Sequence, residues 1–216
     1  RGMSSAASDV YKRQKLSIFY TGLFPLILLA YFFGSLNSSI IFSKILKLED
    51  PREYGSKNPG ATNILRSGNK TLALATLIFD MFKGFLPVFV AFFFIEDQIY
   101  IQIIGLCSIL GHIFPIYYKF TGGKGVATSF GVILAFDIIL GFICLLTWLI
   151  TAFLFRYSAL SAIVSFALLP IYTWFSYEKI ITTSLFLILA IIVIYMHKTN
   201  IKNLLNNKET KIGSKN

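Results

Sequence analysis

Charge is scarce in this chain. Only 14% of its 216 residues are charged and 56% are hydrophobic, whereas a soluble domain of this size carries about 25% charged residues. Acidic side chains are the scarcer half, 10 against 20 basic ones, for a formal net charge of +10. That balance does not make a nucleic-acid binder, because a basic groove needs a soluble surface and most of this chain is too apolar to offer one. Cysteine is nearly absent. Cys107 and Cys144 both lie in apolar runs, where an unpaired cysteine is a small hydrophobe, so a disulfide scaffold is excluded. Disorder is excluded by the abundance of apolar material, including 22 phenylalanines. What remains is a polytopic membrane protein with basic loops.

Apolar runs long enough for a bilayer lie at about 18–46, 71–95, 99–118, 126–155, 158–176 and 180–197, a spanning helix needing roughly 20 residues. The first run is broken mainly at 34–39. Polar segments separate the runs. Residues 47–70 carry five basic side chains, 119–124 carry two and the tail from 198 carries five, while the connectors at Glu96-Asp97 and Glu178 lean acidic. The positive-inside rule puts the three basic segments in the cytoplasm. The chain then crosses an even number of times between Lys124 and the tail, yet three apolar runs are visible there. The run 126–155 is long for one helix and short for two. It predicts a hairpin of two short helices turning near Asp137–Gly141, each arm about 21 Å long. The alternative is one long tilted helix with a re-entrant element elsewhere. The hairpin gives an all-α integral membrane protein of seven transmembrane helices, N-terminus outside and C-terminus cytoplasmic.

Residues 1–15 are polar, basic and without period. They do not form a signal peptide, because the apolar region after them is too long for a 7–15-residue core. Their four basic residues would also sit outside, against the orientation bias. We expect a non-native or disordered lead-in at 1–15 and one transmembrane domain over 16–216.

Three polar segments can carry chemistry. The first is Gly55-Ser56-Lys57-Asn58-Pro59-Gly60-Ala61-Thr62-Asn63 with Arg66. Glycine-rich loops present successive N–H groups to an anion. Ser56, Asn58, Thr62 and Asn63 add neutral groups, and Arg66 offers a planar fork suited to phosphate. The same residues also suit a plain turn-rich loop. The second segment is Gly111-His112-Ile113-Phe114-Pro115, then Thr121-Gly122-Gly123-Lys124-Gly125-Val126-Ala127-Thr128. Glycines here flank a lysine at the mouth of a helix, where free N–H groups favour anions. It is not a Walker A loop, since Gly125 follows Lys124 and Tyr118 stands upstream where a glycine is needed. His112 reads as a core histidine bonded to a backbone carbonyl. The third segment is His197-Lys198-Thr199-Asn200-Ile201-Lys202. His197 and Asn200 share a face if the helix continues, and a histidine at the membrane surface can act as base, donor or phosphate ligand. Elsewhere, Asp80 and Lys83 stand at i, i+3 inside an apolar run and read as a structural pair. Arg156 lies at the cytoplasmic boundary. No His-x4-Asp signature, no metal-ligand spacing and no Gly-x-Ser-x-Gly elbow occurs.

These motifs resemble the bacterial PlsY family of acyl-phosphate:glycerol-3-phosphate acyltransferases, over about Leu26 to Ile212. The resemblance is carried by Asp50-Pro51-Arg52 with the first loop and Arg66, by Gly111-His112, Pro115 and the second loop, and by His197, Asn200-Ile201 and Glu209-Thr210-Lys211-Ile212. Lys57 departs from the family, which commonly has glycine there. The resemblance implies a seven-helix enzyme of the bacterial inner membrane with a cytoplasmic active site. It implies acyl transfer from acyl-phosphate to the 1-hydroxyl of glycerol 3-phosphate, giving lysophosphatidic acid and phosphate, the first acylation of phospholipid synthesis. It also implies a site core of Ser56, Arg66, Lys124, His197 and Asn200, with Asn58, Gly60, Thr62, Asn63, Gly122 and Gly123 binding substrate. Arg66 and Lys124 would hold the glycerol phosphate; Gly60, Thr62 and Gly123 would cradle the acyl-phosphate. His197 would accept the proton or only bind. No cofactor or metal is implied. The chain is expected to be a monomer in contact with membrane lipid, functionally linked to a phosphate acyltransferase that makes the donor. Two other classes remain: a small anion permease, which would need polar groups through the midplane, and a non-catalytic lipid-binding scaffold.

Overall fold

The structure is a computed structural model that describes Val10 and residues 22–213; the expected lead-in at 1–15, Val10 aside, lies outside the described residues. Its elements are helical. α1 (Phe24–Gly34) and α2 (Ser38–Ile45) form one apolar segment bent by 48°. A short α3 (Ala61–Arg66) precedes α4 (Lys70–Ala91) and α5 (Gln98–Ile113). Then come α6 (Val126–Phe136), α7 (Ile138–Phe155), α8 (Ser158–Tyr177) and α9 (Ile180–Met196), and α10 (Lys198–Leu205) leaves α9 at a bend of 58°. Among the described residues, four helices are long and apolar enough to cross a membrane, and six if each bent pair is one span. Large apolar side chains such as Phe93, Phe153 and Phe175 point outward, on faces that suit lipid rather than water.

The break in the first segment has a local cause and a remote partner. Asn37 caps α2, its side-chain oxygen accepting from Ile40 N at 3.2 Å. The interruption frees carbonyls that a continuous helix would use. Lys83 of α4 reaches one of them, donating to Leu36 O at 2.6 Å. The same ammonium pairs with Asp80 at 2.8 Å, both side chains buried. Ser38 donates to that carboxylate at 2.8 Å. The expected structural pairing of Asp80 and Lys83 is therefore present, and it braces the bent segment against α4.

The run 126–155 breaks at Asp137. This residue ends α6 and caps α7, its Oδ1 accepting from Ile139 N at 2.8 Å and Leu140 N at 3.0 Å. Its other oxygen accepts from Tyr177 at 2.6 Å. The arms are unequal, 11 and 18 residues, or about 16 and 27 Å at 1.5 Å per residue, so the expectation of two matched arms is corrected. The short arm does not have to meet lipid. Thr128 to Ile133 are all buried, and α4 packs so closely that a Cβ on Gly131 would stand 1.9 Å from Met81 O, and one on Gly84 2.0 Å from Thr128 O. Small residues at such crossings let helix backbones approach in the absence of a hydrophobic drive.

Candidate active site

The first polar loop is organised from within. Asn63, on α3 and 1% exposed, accepts from Ser56 N at 2.9 Å and Ser56 Oγ at 3.1 Å. Its amide nitrogen donates to Pro51 O at 2.7 Å and Tyr54 O at 3.2 Å. One side chain thus ties together a stretch without regular structure, satisfying backbone groups that would otherwise be stranded. Upstream, Arg52 forks onto Asp50, with Nη2 donating at 2.6 Å, and this holds the Asp50 carboxyl below the usual carboxylate range. Gly55 and Lys57 have φ of +57° and +56°. That region suits Gly55 and is strained for Lys57, which explains why glycine at position 57 is the easier choice. The loop ends at Gly60, from which α3 carries Thr62, Asn63 and Arg66.

The second loop leans on α5. Gly123 N donates to His112 O at 3.1 Å. A Cβ on Gly122 would lie 2.1 Å from His112 O, and one on Gly123 2.1 Å from His112 Nε2. Both glycines therefore serve close packing against His112. The histidine's expected bond to a carbonyl is not formed: its Nδ1 has no hydrogen-bond partner and faces Asp80 Oδ1 at 3.7 Å, because the ring is lodged between the loop and α4. Gly125, at φ +83°, turns the chain into α6.

Lys124 emerges from that turn and donates to Asn200 Oδ1. Asn200 in turn donates to Glu209 Oε1 at 2.9 Å, and the same oxygen stands 3.9 Å from Arg66 Nη2. Arg66, Lys124 and Asn200 come from three distant parts of the sequence and converge through this carboxylate, whose side chain is 5% exposed. Burial pushes the Lys124 ammonium below its ordinary pKa, Glu209 opposes that shift and Arg66 adds to it. His197 sits at the bend between α9 and α10, nearly buried. Its Nδ1 pairs with Val193 O at 2.8 Å. A carbonyl only accepts, so Nδ1 carries the hydrogen and Nε2 of the neutral ring has a free lone pair.

These groups line a cavity of about 540 Å³. Its lining includes the polar groups of Ser56, Asn58, Thr62, Asn63, Arg66, Lys124, His197, Asn200 and Glu209 with Gly60, and the apolar side chains of Leu74, Leu77, Met81, Phe130, Leu145, Trp148 and Leu149. Nine of the eleven sequence-predicted site residues are brought to the wall, since Gly122 and Gly123 are absent from it. Asp80 and His112 also reach it, although Asp80 is closed on Lys83. In the sequence Glu209 stands only as part of a motif. The one signal that singles it out is that it is the sole acid in a basic tail. Among the described residues, no group of three or more His, Cys, Asp or Glu is assembled for a metal ion. A pocket lined by both cationic and amide donors and large apolar side chains fits an amphiphile with an anionic head.

Comparison with known proteins points the same way. The family model for glycerol-3-phosphate acyltransferase matches residues 24–207. The chain is 44% identical to the glycerol-3-phosphate acyltransferase of Blochmanniella floridana over 194 residues, covering 88% of this chain and 96% of that protein. It superposes on the crystal structure of PlsY (YgiH), an integral membrane glycerol 3-phosphate acyltransferase, in its glycerol 3-phosphate form. The TM-score is 0.83 at 32% identity, over 88% of this chain and 96% of that one. The lysophosphatidic acid form of PlsY matches with a TM-score of 0.81 at 31% identity, over 88% and 95% of the two chains. The chain therefore belongs to the PlsY family of integral membrane glycerol-3-phosphate acyltransferases.

Proposed function

We propose that this acyltransferase moves a fatty acyl group from acyl-phosphate to the 1-hydroxyl of glycerol 3-phosphate, releasing phosphate and lysophosphatidic acid. The observation that carries this reading is the mixed lining of one cavity: Arg66, Lys124, His197 and Asn200 share it with Leu74, Leu77, Met81 and Leu149. Both substrates carry a phosphate, and only the donor carries a tail. Arg66 and Lys124 hold the glycerol phosphate. Ser56, Asn58, Gly60 and Thr62 receive the acyl-phosphate head, and the tail lies along Leu74, Leu77 and Leu149. Asn63 contributes by holding Ser56 in place. Gly122 and Gly123 contribute by letting the second loop close on His112, so that Lys124 enters the cavity.

The chemistry asks little of a base. The 1-hydroxyl oxygen attacks the acyl carbon, the carbon–oxygen bond of the mixed anhydride breaks, and phosphate leaves with the electron pair. The hydroxyl proton passes to His197 Nε2 or to the departing phosphate. Because the leaving group is good, catalysis rests on orientation and on cationic donors aimed at the developing charge. The bond from Nδ1 to Val193 supports His197 as the acceptor.

In the membrane, α1 with α2 forms one span, and α4, α5, α6, α7, α8 and α9 supply six more. That places four crossings between Lys124 and the tail, as the parity of the basic loops requires. The three basic segments then share the cytoplasmic face of the bacterial inner membrane. The protein acts as a monomer, and a phosphate acyltransferase supplies the donor. The test is direct. Reconstituted protein given palmitoyl-phosphate and labelled glycerol 3-phosphate should form lysophosphatidic acid, and palmitoyl-CoA should not replace the donor. No product with palmitoyl-phosphate would overturn the donor assignment. A His197→Ala enzyme with unchanged turnover at saturation would remove the base role.

A further inference from the structure

We infer that Arg156, at the turn between α7 and α8, is a positioning residue for the active site and acts through the C-terminal segment that carries Glu209. This inference rests on the reading of the cavity as the glycerol 3-phosphate site.

After α10 the chain has no regular structure, yet it brings the Glu209 carboxylate between Asn200 and Arg66. Something outside the segment must hold it there, because a free tail loses that geometry to conformational entropy. On the near side of Glu209, Lys208 N donates to Asn203 O at 2.7 Å; on its far side the holding contacts are at Arg156. Ile212 N donates to Arg156 O at 2.6 Å, and Arg156 Nη2 donates to Ile212 O at 3.1 Å. Residue Ile212 is thus gripped on both its N–H and its C=O by a single partner. Arg156 itself has a φ of +63°, in the left-handed region, an unfavourable conformation for arginine; it turns the carbonyl and the side chain toward the same neighbour. The same turn is tied to the first loop, where Thr62 Oγ1 and Ser158 Oγ lie 3.3 Å apart. Lys211 stands over the Tyr157 ring, 5.8 Å from its centre.

The chain of contacts runs from Arg156 to Ile212, along three residues to Glu209, and from Glu209 to Asn200 and Arg66. Asn200 passes it to Lys124. Loosening the grip at Ile212 therefore releases the carboxylate that orients two phosphate-binding groups. Arg156 touches no substrate in this arrangement. Its effect must appear in affinity for glycerol 3-phosphate before it appears in turnover.

The experiment uses the full chain in proteoliposomes. Arg156→Gln removes the guanidinium bond, and Ile212→Pro removes the N–H donor. Each should raise KM for glycerol 3-phosphate about fivefold, the scale of one net hydrogen bond, with kcat within about twofold. Arg156→Lys, which keeps a cationic donor, should recover part of the loss. Amide hydrogen exchange over residues 209–213 should quicken in the first two variants. This readout needs no donor and no turnover, so it separates failure of the clasp from failure of the acyl-phosphate reading. Unchanged exchange, or faster exchange with an unchanged KM, would overturn the proposal. So would a fall in kcat at constant KM, which marks loss of folded enzyme. Absence of product from the wild type together with faster exchange in the variants would support the clasp and overturn the donor assignment.

Discussion

In the bundle interior Lys83 donates to Asp80 and to the Leu36 carbonyl, and Ser38 supplies Asp80 with another donor. At the cavity wall Arg66 stands 3.9 Å from Glu209, and Lys124 rests on the neutral amide oxygen of Asn200. Both regions mix acid and base away from bulk water. The first is closed: Lys83 has a carboxylate and a carbonyl at short range and no role left but to bind two elements. The second is left open. Two cations share one carboxylate, at a distance beyond a strong fork contact for Arg66 and through an amide for Lys124, so donors remain for an incoming anion. Charge in a membrane protein is structural or functional according to how fully its neighbours already satisfy it.

The largest expected effect breaks the closed cluster. Lys83→Leu strands a buried carboxylate and should cost about 3–5 kcal/mol of stability, whereas Asp80→Leu combined with Lys83→Leu should recover much of it. Thermal unfolding in detergent measures both. A single variant as stable as the wild type would mean that the interior pair is not closed in this sense.

The open cluster should respond in rate and keep its fold. Lys124→Ala should lower kcat/KM by about 10²–10³-fold with little change in the unfolding midpoint. The same residue sets a pH limit. Because burial lowers its pKa, the ammonium is lost on the alkaline side earlier than for a free lysine. The kcat/KM profile should fall there, and Lys124→Arg, whose guanidinium stays charged, should shift that limb to higher pH or abolish it. An unmoved alkaline limb would assign it to another group.

The smallest effect concerns the first loop, which shapes the open side. Lys57→Gly relieves a left-handed lysine worth about 1–2 kcal/mol but adds about 0.5–1 kcal/mol of unfolded-chain entropy. A net gain in stability near 1 kcal/mol should follow, with activity unchanged. A loss of stability would show that the lysine side chain makes up for its backbone.

Much of the helical architecture was legible because the length of an apolar run answers to the bilayer directly. The break after Gly34, the turn at Asp137 and the Asp80–Lys83 pair each follow from a few neighbouring residues. The unequal arms of α6 and α7 do not. They depend on α6 being enclosed by the bundle, which removes the need to match the bilayer thickness. The site shows the same division. Arg66, Lys124, His197 and Asn200 are visible as two cations, a histidine and an amide in three glycine- or asparagine-bearing segments. Glu209 is not, since a lone acid in a basic tail looks misplaced until its partners Asn200 and Arg66 are known. Gly122 and Gly123 look like phosphate-loop glycines in the sequence; that a Cβ at either would meet His112 is visible only in the structure.

By itself, the sequence determined a helical membrane protein of long apolar runs, with three basic segments rich in glycine, asparagine and hydroxyl side chains set between and after them. Those properties are additive over short stretches: hydropathy, charge and turn preference. Only the tertiary structure decided which of those residues share a cavity, that Glu209 links Arg66 to Asn200 and that Arg156 grips the tail. Each of these joins residues far apart in the chain, and only the packing of the helices brings them within hydrogen-bonding range.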